Sequence, residues 1–178
     1  MKKSGFMNFI DPTPQQILLI EKQLGRPPRG IRAISCSHDN DVPLVVKMAP
    51  LVDKQPFPTL FWLCSKDLHK AISQIESEGW VKCLEQHIAS DPVLRSAYQE
   101  NHRSYIAARW RNCSHTERQL LHRLGFGGLF DHYGIGGLRD WNQVRCLHMH
   151  YAHHLCGQNV IGQWLDRKFD LHHLKITI

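Results

Sequence analysis

Apolar positions change their spacing several times along this chain, and each change marks an element. Ile17, Leu18, Ile20 and Leu24 recur at helical intervals behind Thr13, which can cap a first turn, and Pro14, which suits that turn; Gly25 ends the run. The RPPRG segment at 26–30 must then turn, because two prolines and a glycine cannot continue a helix. Beyond it the runs shorten and become β-branched and aromatic. Residues 30–36, 43–48 (PLVVKM) and 59–64 (TLFWLC) predict three strands, with SHDND after Cys36 as a hairpin loop and QPFPT (55–59) as a rigid lead-in.

After Cys64 the spacing lengthens to that of a helix. A helix starting at Ser65 or Asp67 places Leu68, Ala71, Ile72 and Ile75 on one face and ends by Gly79, and a short helix over 82–89 follows. Ser90-Asp91-Pro92 is a start signal for a longer helix striped by Leu94, Ala97, Tyr98, Tyr105 and Ile106. Further helices are expected at 116–124, 140–155 and 160–169, the second capped by Asp140. The pattern therefore predicts an α+β fold in one domain spanning 1–178. A small N-terminal, mainly antiparallel sheet of about three strands packs with a largely helical C-terminal half.

One internal repeat stands out: GFGGLFD (125–131) is echoed by GIGGLRD (134–140). Glycine-rich backbone before a helix can cradle an anion, but neither copy is followed by the Lys-Ser/Thr of a P-loop, nor preceded by the strand of a dinucleotide fingerprint. The glycines read best as residues of tight turns.

Composition narrows the class. Hydrophobic residues make up 42% and charged residues 21% of the chain, which excludes wholesale disorder. No stretch approaches the roughly 18 apolar residues of a membrane span. In MKKSGFMNFIDPTP, Asp11 and Pro12 cut the apolar stretch short of a signal-peptide core, so a cytoplasmic protein with reduced thiols is expected. A formal charge of +6 permits an anionic partner, but the cations are spread along the chain, as on a solvated, mildly basic surface.

The 6 Cys and 13 His are the unusual counts, and four of the histidines crowd into 148–154. On a helix, Cys146, His150, His153 and Gly157 fall within a narrow arc with His154 at its edge, whereas Val144, Leu147, Tyr151 and Leu155 face the opposite side with His148 beside them. A thiolate with imidazoles suits Zn or Fe, and Cys36 and Cys64 at strand ends are the natural sources of further ligands. His102, between Tyr98 and Tyr105, should point inward. Nucleophilic catalysis by a Cys146 thiol acidified by Arg145 and nearby imidazoles ranks below metal binding, because a thiol enzyme usually takes its base from another element.

Read together, these motifs carry a resemblance. LGRPPRG (24–30), Cys36, PFPTLFWL (56–63), IESEG (75–79), the helix with His102 and Tyr105, GIGG (134–137), and VRCLH followed by AHHL (144–155) stand in order. The chain resembles the bacterial domain-of-unknown-function family 501 over about residues 13–162, leaving 163–178 as a C-terminal extension. The resemblance implies a bacterial, cytosolic, single-domain protein and points to Cys36, Cys146, His148 and His153. Family members often carry a cysteine one place after Cys64, where this chain has Ser65, so Cys64 is either a displaced equivalent or a core residue. The stretch 111–133 is longer than that pattern. The helical wheel favours His150 and the resemblance favours His148; a helix beginning only after Cys146 would turn His148 toward the thiol.

These residues support three function classes, and whether the chain is an enzyme stays open. The first is a protein binding Zn or Fe through Cys36, Cys64, Cys146, His148, His150 and His153. The second is a nucleic-acid- or ribosome-associated module using Arg26, Arg29, Arg32, Arg109 and Arg111 with Trp110 and Trp141. The third is a protein-interaction module without chemistry of its own.

Overall fold

The computed structural model describes residues 11–177 and the backbone of strand β1 (Lys2–Lys3), so the signal-peptide reading of the N-terminal stretch falls largely outside the described residues. Helix α1 (Pro14–Leu24) opens with a capping box. The Thr13 hydroxyl accepts from the Gln16 N–H, the Gln16 amide oxygen accepts from the Thr13 N–H, and Gly25 closes the helix at φ 69°.

The sheet is antiparallel throughout. Strands β2 (Ile31–Ser37), β3 (Pro43–Met48) and β6 (Phe61–Leu63) stand in the order β1-β2-β3-β6. Every residue of β3 is buried, because β3 has a strand on each side and both its faces are covered. Side chains alternate across a strand. On the α1 side Ile20 packs with Val46, Met48 and Cys64; Cys36, Val45 and Leu63 face the other way, into the main core.

A small hairpin of β4 (Leu51–Val52) and β5 (Gln55–Pro56) was not predicted. Its two-residue turn is Asp53-Lys54, both at positive φ, without the Gly that ordinarily announces such a turn.

The C-terminal half is helical, as the pattern predicts. Helices α2 (Lys66–Ser77), α3 (Trp80–Ser90), α4 (Pro92–Arg111), α5 (His115–Arg123), α6 (Gly127–His132), α7 (Leu147–Cys156) and α8 (Val160–Phe169) follow in order, with short 3-10 turns at Ile135–Gly137 and Leu171–His173. Ser65, Asp91, Ser114 and Asn159 cap four of them with side-chain oxygens. Two expectations are corrected. The repeat's glycines do not all serve tight turns: Gly127 and Gly128 of the first copy lie in α6, whereas Gly136 and Gly137 of the second stand at positive φ in a 3-10 turn. Asp140 does not start a helix; its carboxylate accepts from the Asn142 N–H at 3.0 Å, and α7 begins at Leu147.

α7 is the centre of the molecule. It packs on β6, α2 and α8, and Tyr151, Ala152 and Leu155 bury into the main core with Leu165, Leu171 and Ile176. Among the described residues no helix is long and apolar enough to cross a membrane.

Candidate metal centre

Cys146 lies in extended backbone just ahead of α7 and gives that helix no side-chain cap. The Glu76 carboxylate of α2 caps it instead, accepting the Leu147 N–H at 2.5 Å, while Glu85 of α3 accepts the Val144 N–H, in the segment ahead of the helix, at 2.9 Å. An anion is favoured there because the first N–H groups of a helix lack internal acceptors. Arg145, at φ 63°, supplies the bend between the two contacts. With this start, His148 and not His150 turns toward Cys146, and Sγ stands 3.5 Å from the His148 Nδ1.

The same Nδ1 lies 3.2 Å from the Glu76 carboxylate, so one sulfur, one nitrogen and one oxygen fall within 4.8 Å of one another. On the other edge of the ring, Nε2 faces the His69 carbonyl at 3.1 Å and the Ser73 hydroxyl at 3.3 Å. A neutral imidazole donating Nε2–H to that carbonyl leaves the Nδ1 lone pair facing a carboxylate oxygen that is itself an acceptor. In that tautomer a proton or a metal between the two acceptors satisfies both. The arrangement is not a nucleophile relay, in which thiol and carboxylate sit on opposite nitrogens of the base; here both sit on one.

The thiol environment also departs from the nucleophile expectation. Burial raises the Cys146 pKa, and the Glu76 charge raises it further, while Arg145 points into solvent. An activated cysteine needs the opposite field. Beside the trio a cleft of about 300 Å³ is walled by Thr59, Phe61, Trp62, Leu63 and Met149, with Cys146, His148 and His69 on its surface. The His69 ring stands 4.3 Å from that of His148, and partial burial followed by His148 lowers its pKa.

The remaining predicted ligands lie elsewhere. Cys36 and Cys64 occupy opposite faces of the sheet, which follows from strand alternation: Cys36 pairs with Val45 and Val45 with Leu63, so Cys64, one residue on, points away. The Cys64 thiol donates to the Pro43 carbonyl at 3.4 Å, and burial pushes its pKa to about 12.

His150 and His153 form a separate buried network. The Asn159 side-chain amide stands 3.4 Å from Nδ1 of His150 and 3.2 Å from Nδ1 of His153, and the His150 Nε2 faces the Val144 carbonyl at 3.2 Å. Burial lowers their pKa values to about 3 and about 4, and that of neighbouring His102 to about 3. Of the six predicted ligands, the structure thus joins Cys146 and His148, and adds Glu76. Glu76 was missed although IESEG was noticed. The available signal was His69, Ser73 and Glu76 at i, i+4 and i+7, a polar stripe beside the apolar face of α2. Another close grouping, Asp170, His172 and His173, lies exposed at the surface.

The arginines do not make one surface. Arg109 is 2% exposed and spends its guanidinium on the Pro58, Phe130 and Tyr133 carbonyls. Arg32 is held by the Asn112 carbonyl and Glu117. Trp110 donates to Asp131 and stacks on His122, and Trp141 stacks on His102. Arg26, Arg29 and Arg111 are exposed.

Comparison with known proteins adds one match. The sequence model of a family described as "Protein of unknown function (DUF501)" fits residues 33–167. No curated protein and no solved structure matches the chain.

Proposed function

The chain belongs to the DUF501 family, and we propose that it is a transition-metal protein holding Zn²⁺ or Fe²⁺ through Glu76, Cys146 and His148. One observation carries the reading: His148 Nδ1 stands between Cys146 Sγ at 3.5 Å and Glu76 Oε1 at 3.2 Å, so one cation there would meet all three donor atoms. The His69 carbonyl on the far nitrogen supports it, because a backbone acceptor on the second ring nitrogen orients a metal-bound histidine. A sulfur, nitrogen and oxygen donor set suits Zn or Fe and not Mg or Ca.

Three protein ligands leave a coordination position for a substrate, and the adjacent cleft gives it access. A metal there supplies Lewis-acid activation of a bound water or carbonyl. The protein orients His148 through His69, holds Glu76 in place through the Leu147 N–H, and walls the position with apolar side chains. A reduced thiol ligand fits a cytoplasmic, bacterial protein.

The test is metal analysis of untagged protein prepared anaerobically. About one equivalent of Zn or Fe is expected, and less than about 0.1 equivalent would overturn the reading. Cobalt loading separates a metal from a shared proton: native protein should gain a thiolate-to-cobalt charge-transfer band, and Cys146→Ser should lose it.

A further inference from the structure

The RPPRG turn takes no part in the metal centre. It meets the PFPTLFWL segment at a separate place, a cavity of about 190 Å³ between the end of α1 and the β4–β5 hairpin. The walls are apolar: Leu24, Ile31, Met48, Val52, Phe57 and Trp62. The Phe57 and Trp62 rings are stacked, 5.5 Å apart and 13° from parallel, so one wall is flat. The turn itself is pressed against the hairpin, because Gly30 has φ 68° and a Cβ there would overlap the Val52 side chain.

Charge is confined to the cavity's rim. Arg29 stands 3.7 Å from Asp53, while the Arg26 guanidinium lies over the Trp62 ring, 5.8 Å from its centre, with no carboxylate in ion-pair range among the described residues. An adjoining cavity of about 250 Å³ shares Leu24, Arg26 and Trp62 and adds Lys66. An apolar slot with a flat wall and a cation over its edge is complementary to one kind of ligand.

We propose that this cavity binds a small organic anion with a flat apolar body, of the aryl-carboxylate class, its anionic group on Arg26 and its body against Trp62 and Phe57. Arginine resting on an indole keeps its fork free for a carboxylate while losing little further rotational freedom on binding. A neutral apolar ligand would leave that cation unused. A nucleic acid would need cations spaced along several phosphates, and Arg32 and Arg109 are engaged within the fold. The proposal does not depend on a metal at Cys146.

Isothermal titration with 2-naphthoate, and with the uncharged 2-naphthylmethanol as control, tests it on native and chelator-treated protein. Saturable one-site binding of 2-naphthoate is expected for both preparations. Arg26→Ala, at an exposed position, should weaken it about tenfold or more, the worth of one charge-assisted hydrogen bond. Arg139→Ala, an exposed arginine elsewhere, should leave it unchanged. The proposal is overturned by absence of saturable binding at millimolar naphthoate, by equal affinity for the alcohol, or by unchanged binding to a folded Arg26→Ala protein. Binding that disappears with the chelator while the fold persists would put the anion on the metal and also overturn it. Failure of the metal analysis alone leaves this site standing.

Discussion

Glu76 and Leu147 are 71 residues apart in sequence, and one carboxylate oxygen of the first accepts the backbone N–H of the second at 2.5 Å. That contact starts α7 and also fixes the same oxygen 3.2 Å from His148 Nδ1. The two roles separate by substitution. Glu76→Ala removes both and should cost about 1–2 kcal/mol, as loss of a helix cap does. Glu76→Gln keeps an oxygen for Leu147 and should melt within a few degrees of the native protein, while its metal affinity falls about tenfold or more. Chemical denaturation paired with a zinc competition titration reads both, and native-like zinc affinity in Glu76→Gln would remove Glu76 from the ligand set.

Elements written in local chemistry were legible from the sequence alone. Thr13, Ser65 and Asp91 announce their helices because a cap and its partner lie within a few residues. The alternation that makes β3 a strand is hidden by burial on both faces, yet its β-branched run still betrays it. The candidate site was half legible. Cys146 and His148 are neighbours in sequence, but the wheel placed Cys146 inside the helix, and what ends the helix before it is Glu76, reaching from another element. Nothing local to Cys146 encodes that. Cys36 and Cys64 failed for a simpler reason: residues that look adjacent at strand ends point to opposite faces when their registers differ by one.

The buried histidines make stability depend on pH. His102, His150 and His153 have pKa values lowered by burial to about 3, 3 and 4, below the unfolded value of roughly 6.5. They are neutral in the folded chain, so the unfolded chain takes up more protons in acid. Stability is complete above about pH 6.5 and declines as pH falls toward about 4, each histidine contributing up to about 1.4 kcal/mol per pH unit. Asp166 and Glu117, whose carboxyls are held below their usual range by hydrogen bonds to His154 and Tyr151 and to Ser114 and Arg32 against the opposing effect of burial, lose their contribution only at lower pH. Urea midpoints at pH 7.5, 6 and 5 should fall steadily, and His153→Gln should flatten the slope by about one proton. A level profile from pH 7 to 5 would contradict neutral burial.

Two glycines in the two copies of the repeat should respond oppositely to alanine. A Cβ on Gly134 would overlap Nδ1 of His102, the atom that accepts the Ile135 N–H at 3.0 Å, and would crowd the Trp141 indole nitrogen. Gly128, inside α6, has nothing within 4 Å of its Cβ position. Gly134→Ala should therefore lose about 2 kcal/mol or more, as overpacking of a closed site does, whereas Gly128→Ala should be neutral or gain up to about 1 kcal/mol from helix propensity. Thermal melts of the two proteins, run side by side, decide it.

Arg109 is a structural cation, and lysine should not replace it. Its guanidinium donates to the Pro58 carbonyl at 3.0 Å, to Phe130 at 2.5 Å and to Tyr133 at 2.6 Å, while lying over the Tyr105 and Phe130 rings. These acceptors join the segment ahead of β6 to the C-terminal end of α6, beside the cleft wall at Thr59 and Phe61. A planar fork reaches all three at once, and an ammonium, a single point of charge, does not. Arg109→Ala should cost about 3–5 kcal/mol, as when one member of a buried charged network is removed, and Arg109→Lys most of that. Arg111, two residues on and exposed, should tolerate alanine within about 0.5 kcal/mol. Equal urea midpoints for Arg109→Lys and the native protein would show that the three carbonyls find other donors, and would return Arg109 to the list of cations free to meet an anionic partner.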